Sequence, residues 1–439
     1  MVGIRENFYR LLLFTFLIFI QSCVPVQPTS SNSSSANYPQ LRFENTTYDP
    51  DIKTVQLFRF EGEQQVALNN PTIQLDKNEG LFLTFDDLSN QQQLYQAKII
   101  HVNKDWTKKS HVLPMNYLGE YNQFAIRNYE YSFDTKVPYI HYSLQLPQVK
   151  VTGNYLLVVY RGSNSEDIVL SERFRVYENL TQISYKIVPS NLVKNRRNMQ
   201  EVEFEVNLNG ANILNRGSDI YPVVRQNNNE LNAKYLQSPR HIESDKLIYS
   251  FFDGQLNFPG SNEFRFIDIS TVNFRGTNIA SINKESSPIS MIAGKDTDRS
   301  NQAYREWEDR NGKFLIGNRE RQTDELVNDY IDVTFRLDVA QQDEPIYIVG
   351  EFNNWEINSK SRLKFNTLTG IYENSYLLKQ GYLEYLYYSK EAPHYEYEGS
   401  YVDTENEYDI AIYYSNPQLR YDQLIGYTHF NSRSARQNR

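Results

Sequence analysis

Apolar and polar residues alternate along most of this chain. Ile140, Tyr142, Leu144 and Leu146 fall on one side of an extended backbone, with His141, Ser143 and Gln145 on the other. Val202, Phe204, Val206 and Leu208 alternate with Glu203, Glu205 and Asn207, and Ile331, Val333, Phe335, Leu337 and Val339 with Asp332, Thr334, Arg336 and Asp338. A period of two fits an antiparallel strand with one covered and one wet face, because successive side chains leave a pleated backbone in opposite directions. Further strand-like runs lie at 53–60, 81–85, 95–103, 154–161, 346–349 and 382–389, separated by turn signals at Gly62, Asn69-Asn70-Pro71, Gly162-Ser163-Asn164 and Thr369-Gly370. Helical periodicity is confined to Asn301 to Asp309, room for one short helix. Short strands at this spacing predict an all-β protein of serial immunoglobulin-like, antiparallel β-sandwiches. The expected divisions are a first sandwich at 38–178, a second at 180–292, a polar linker at 293–324, a third sandwich at 325–430 and a frayed basic tail at 431–439. No period of 20–50 residues is visible, which argues against a solenoid or propeller.

The beginning of the chain reads differently. Arg5 and Arg10 precede an apolar run, Leu11 to Ile20, that ends at Gln21-Ser22-Cys23. About ten apolar residues cannot span a bilayer but suit the hydrophobic region of a signal peptide. The ending Ile20-Gln21-Ser22-Cys23 resembles the lipobox of bacterial lipoproteins. That resemblance implies a signal peptide at 1–22 and acylation of Cys23 as the mature N-terminus; the alternative is an ordinary secretory signal with an unrelated cysteine. Pro25, Pro28 and Thr29 to Ser35 then form a flexible tether over 23–37. Later segments all fall short of 18 apolar residues, so the expected protein is anchored to a membrane surface by acyl chains rather than threaded through it. With no acidic residue after Cys23 in the tether, the periplasmic face is the expected one.

Composition narrows the function. The 439 residues include 34 Tyr and 24 Phe, which favour pleated, half-buried surfaces. Asp and Glu (54) outnumber Lys and Arg (45), for a net charge of −9, which argues against nucleic acid as a partner. Cys23 is the only cysteine, so intrachain disulfides and Cys-based zinc sites are excluded.

Candidate chemistry is sparse. The six histidines, at 101, 111, 141, 241, 394 and 429, form no two-histidine metal spacing. His101 and Asp105 read either as a base with its orienter or as a polar network closing a strand end over Trp106. Asp86 and Asp87 offer paired carboxylates, but neighbours on a strand point to opposite faces, which suits a strand-end cap better. Asp309-Arg310-Asn311-Gly312 echoes a calcium loop without its downstream ligands, and is better explained as a turn. G-x-S-x-G, P-loop and dinucleotide fingerprints are all missing. The expectation is a non-enzyme with no cofactor, no metal and no small-molecule substrate.

Two resemblances add to this. Ile346 to Trp355, with Gly370-Ile371-Tyr372 and Gly381 to Tyr385, resembles the early-Set sandwich of glycogen-binding modules. There the tryptophan matching Trp355 can stack on a sugar, while Leu386 stands near the family's glucan-contacting lysine and no second tryptophan follows. The resemblance implies a shared fold, with carbohydrate binding at Trp355 belonging only to an alternative reading: a glycan-binding outer-membrane lipoprotein of a polysaccharide-uptake system.

The second resemblance runs through the chain. Tyr48 to Leu57, Leu81 to Leu88, His101 to Trp106, Asn128 to Thr135, Tyr139 to Tyr142, Gly153-Asn154-Tyr155 and Arg173 to Val176 look like the plug protein of the Bacteroidetes type IX secretion system. Asp309 to Gly312 and Asp329-Tyr330 match that family's later turn and strand lead. Val102 stands where the family often has cysteine, so no thiol is needed there. This resemblance implies a non-catalytic subunit docking under the giant outer-membrane translocon barrel of the SprA type, on its periplasmic side, and sealing it while no substrate crosses. Its shared phrases nominate Asp86, Asp87, His101, Asp105, Trp106, His141 and Tyr142 as partner-binding residues.

Overall fold

The computed structural model describes residues 38–61, 64–66, 70–77, 79–211, 213–321, 325–390, 396–416 and 418–437. The signal peptide, Cys23, the tether and His394 lie outside the described residues. Residues 40–439 form one compact unit, and its described part is almost entirely β.

The alternating runs become the expected strands. Ile331, Val333, Phe335 and Leu337 are fully buried within Tyr330–Asp338, and Val202, Phe204 and Val206 within Met199–Asn207. Six sheets are present among the described residues, and they pair into three sandwiches. In the first, Thr46–Thr47, Ile168–Tyr177, Gly153–Arg161, Tyr95–Val102 and Phe124–Ile126 form one layer. Gln64–Val66, Ile52–Glu61, Gly80–Asp87, Ile140–Gln145 and Asn128–Tyr131 form the other. Leu83, Ala97, Ile99, Tyr155 and Leu157 meet between the layers, and the Phe85 and Tyr142 rings stack at 5.2 Å with Tyr95 edge-on to both.

The other two sandwiches are not consecutive, which corrects the expected divisions. Gln182–Pro189, Met199–Asn207, Lys246–Tyr249 and His241–Glu243 form one layer of the middle sandwich. Its second layer is Asn229–Tyr235, Ile220–Gln226, Glu407–Ser415 and Asp422–Asn431, so strands from the end of the chain complete it. The third sandwich lies between these halves in sequence, built from strands running from Arg265–Asp268 to Gly381–Ser389. Alternation marks a strand but carries no information on its partner, and the pairing of Ile220 with Tyr414 spans most of two sandwiches.

Three local expectations also change. The stretch 293–324 is no simple linker: Ile289–Thr297 and Phe314–Ile316 are strands of the third sandwich. Asn301 to Asp309 is not helical; it is strapped down by Trp307 Nε1 donating to the Phe264 carbonyl at 3.2 Å and by the Tyr304 hydroxyl donating to Glu263 at 2.5 Å. The described part of the tail is not frayed, because Ser432–Gln437 is a helix whose Ser432 and Ala435 are buried against the middle sandwich.

Candidate functional site

The junctions between sandwiches hold most of the polar chemistry. Asp86 and Asp87 do point apart. Asp87 turns inward and accepts from the Tyr95 hydroxyl and the Ser89 amide, both at 2.8 Å. Asp86 faces the third sandwich: its Oδ1 lies 2.7 Å from His141 Nδ1, and its Oδ2 accepts from the Tyr330 hydroxyl and Lys379 Nζ, each at 2.7 Å. Burial alone would raise this carboxyl, but the Lys379 ammonium and His141 outweigh it and hold its pKa below the ordinary value. Lys379 also sits over the Tyr139 ring at 4.2 Å. Alongside, Asp329 accepts from the Lys136 and Val137 amides at 2.8 and 3.1 Å.

The first and middle sandwiches meet through arginines. Arg173 and Arg175, two apart on Ile168–Tyr177, share one face and both stack on Trp106, at 4.7 and 5.2 Å from its ring centre. Glu230 accepts from Arg175 at 2.8 Å and Arg225 at 2.7 Å, with Arg173 at 3.7 Å, and Arg225 also pairs with Asp409. Burial pushes Glu230 up, yet Arg225, Arg175 and Arg173 together hold it far below the usual carboxylate range.

His101 is no base with an orienter. Asp105 pairs with Lys104 at 2.7 Å instead, while His101 Nε2 lies 3.2 Å from the Thr152 carbonyl. The imidazole is wedged edge-on to Tyr155 and Tyr421, and burial lowers its pKa to about 4, leaving it neutral at pH 7. Gly153 is needed beside it, with φ +137° and a Cβ position only 2.5 Å from the ring.

In the third sandwich, Asn311 and Gly312 have φ of 55° and 86°, a turn that requires residues tolerant of the left-handed region. The Glu384 carboxyl accepts from the Arg310 and Gly312 amides at 2.9 Å. The Trp355 ring lies against this turn, edge-on to Phe264 at 5.8 Å, and a Cβ on Gly312 would come within 2.6 Å of it. Trp355 thus packs on its own sandwich, and also borders a cleft of about 560 Å³ shared with Arg42, Asn228 and Glu356.

Residues 52–178 match the family described as the type 9 secretion system plug protein 1st domain. The first sandwich is a plug-family domain. The chain is also similar to the crystal structure of a hypothetical protein from Parabacteroides merdae, 28% identical, with 89% of this chain and 100% of that one covered and a TM-score of 0.84. No curated protein matches. The match associates the first domain with the type 9 secretion machinery, and the all-β fold suits an accessory role. Among the described residues no helix is long and apolar enough to cross a membrane.

Within the plug domain, the nominated residues are mostly interior. Asp86, Asp87, His101, Trp106 and Tyr142 are each 4% exposed or less, so they build the core and the junctions and present no docking surface. Asp105 and, partly, His141 reach solvent. The one shared phrase that stays outside is Asn128 to Thr135. Its strand, Asn128–Tyr131, is the edge of a sheet and exposed throughout, with Tyr129 at 37%, Tyr131 at 58% and Phe133 nearby at 47%. The Tyr129 and Tyr131 rings lie edge-to-face at 5.9 Å. In sequence these aromatics alternate with Asn128, Glu130 and Ser132 like a core stripe, and only the absence of a covering layer tells them apart.

Three buried carboxyls give the fold a pH signature. Burial first, then a neighbouring acid, pushes Glu172 and Glu384 up to about 8; Glu263, buried beside Asp309, rises to about 7. Their folded pKa values exceed the ordinary 4.5, so their stabilisation is complete below about pH 4.5 and disappears as pH rises through 7 to 8. Asp86 and Glu398, held low by Lys379 and by Arg265 after the burial penalty, act oppositely and lose theirs on acidification below about pH 4.5. Urea titrations across pH 4 to 9 are expected to place maximum stability on the acid side of neutrality. A maximum above pH 8 would contradict these assignments.

Proposed function

We propose that the chain is a non-catalytic plug that docks on the periplasmic side of the type IX outer-membrane translocon barrel, of the SprA type, and seals it when no substrate is crossing. The observation that carries this reading is the plug-family match over 52–178. Three sandwiches joined by buried ion networks supply a broad, stiff body, which obstruction of a wide pore demands and an enzyme does not. Acyl chains on Cys23, followed by the tether, hold that body at the inner leaflet of the outer membrane.

The docking face is the uncovered edge of the plug domain around Tyr129, Tyr131 and Phe133. Specific interfaces bury about 1,000 Å² or more and draw their energy from a few aromatic anchors. Tyrosines are the preferred residue type there. Affinity capture of the tagged protein from detergent-solubilised outer membranes tests the reading. One very large β-barrel is expected in the eluate, with the Tyr129→Ser/Tyr131→Ser/Phe133→Ser variant losing most of it while folding normally. Cys23→Ser should shift the protein from the membrane to the soluble fraction. Recovery of glycan-uptake porins, or of no membrane protein, would sink the plug assignment.

A further inference from the structure

Most charged groups lining the cavity where the three sandwiches meet have partners. Glu230 is held by its arginines, Glu356 by Arg42 and Asn358, and Glu351 by the Phe314 amide. Lys53, Lys360 and Glu172 are the exceptions. All three line one cavity of about 230 Å³.

Lys53 is half-buried at the irregularity in its strand between Lys53 and Gln56, and its ammonium has no hydrogen bond or ion pair among the described residues. Lys360 is exposed at the rim, likewise without a partner for its ammonium among the described residues, and its charge bears on Lys53. Two ammonium groups therefore repel each other across one space. Burial and that repulsion lower the pKa of Lys53, against a smaller opposing effect of Asp51. Opposite them, Glu172 is 5% exposed and its Oε1 has no hydrogen-bond partner among the described residues. Burial and the nearby Glu351 keep its carboxyl protonated at neutral pH, so it does not neutralise the lysines. A buried polar group without a partner is destabilising, and structures rarely keep one without a reason.

We propose that this cavity is an anion-binding site, in which Lys53 and Lys360 hold the phosphate or carboxylate of a small molecule and the Glu172 carboxyl hydrogen-bonds a neutral polar group beside it. The lysines supply charge, relieved of mutual repulsion by the anion between them. Glu172 offers one donor and one acceptor, the complement of a hydroxyl or amide. The volume lies below the range of about 300–1,000 Å³ usual for drug-sized ligands, so the occupant is a metabolite-sized anion and not a peptide or oligosaccharide.

Calorimetric titration of the full mature chain in detergent tests this, using inorganic phosphate, glycerol 3-phosphate and succinate at matched ionic strength. Saturable binding of at least one is expected, with the two phosphates or the dicarboxylate preferred according to the source of the anion. Lys360→Gln, at an exposed position where folding is not at risk, should weaken binding at least tenfold, and Lys53→Gln should do the same. Glu172→Gln, a neutral isostere, should retain binding of inorganic phosphate within threefold. Absence of saturable heat with all three probes, or unchanged affinity in both lysine variants, would overturn the proposal. Neither result bears on translocon capture, which reports on a different face.

Discussion

Lys379→Met is expected to destabilise the protein by about 3–5 kcal/mol at pH 7, the range for removing one member of a buried ion pair. Asp86 has no exposed surface and Lys379 only 2%, so the carboxylate would be left in the junction with the Tyr330 hydroxyl and His141 alone. Its pKa would then rise, because burial would lose its main opponent. The sign follows. In the wild type, a lowered pKa gives stability above the carboxyl's ordinary value, and that stability disappears on acidification. In Lys379→Met this contribution shrinks, so wild type and variant should differ most at neutral pH and converge toward pH 3 to 4. Urea denaturation at several pH values measures this. The double variant Asp86→Leu/Lys379→Met should recover much of the loss, since a buried pair replaced by apolar groups of similar size is often neutral. A single variant within 1 kcal/mol of wild type would mean the junction is wetter than the packing indicates.

Much of the secondary structure was legible in the residues. Period-two alternation at 331–339 placed a strand within one residue of Tyr330–Asp338, because one face is covered by a complete second layer. Pairing was not legible. Glu407–Ser415 reads like any other Tyr-rich strand, and only the Ile220 to Gln226 strand, distant in sequence, explains where it goes. The serial divisions failed for that reason, whereas the strands of the first sandwich, even pairs as distant as Thr46 with Ser171, close among themselves.

The candidate site divides along the same line. The opposed directions of Asp86 and Asp87 follow from strand geometry alone. Which of the two would meet a lysine from another sandwich does not, because Lys379 is 293 residues away. The spacing of His101 and Asp105 leaves a base with its orienter open beside a strand-end network, but the strand ends at Val102, the chain turns at Lys104 and Asp105, and Asp105 pairs with Lys104. A phrase shared with a family carries both core and surface, and burial separates them. By that criterion His101 and Trp106 are interior, and the docking face proposed above rests on Tyr129, Tyr131 and Phe133.

The junction between the plug domain and the middle sandwich should be as sensitive as the Asp86 site. Glu230→Gln is expected to reduce stability by about 3–5 kcal/mol, because it leaves the buried Arg175 and Arg225 guanidiniums facing each other with Asp409 as their remaining carboxylate. Arg175 is 5% exposed and Arg225 2%, but the Glu230 side chain keeps 27% of its surface and lines the cavity, so water reaches the vacated position and the loss falls at the lower end of that range. Hydrogen exchange should therefore show protection lost first around Arg173, Arg175 and Arg225, while the separate apolar clusters of the two sandwiches remain intact. Under the plug reading this separates binding from sealing. The exposed edge at Tyr129 and Tyr131 is untouched by the substitution, so translocon capture should persist, while a body hinged at this junction should let large antibiotics through the outer membrane. Capture and permeability falling together would instead place the docking contact across both sandwiches, and normal sealing by a destabilised variant would remove stiffness from the requirements of the plug.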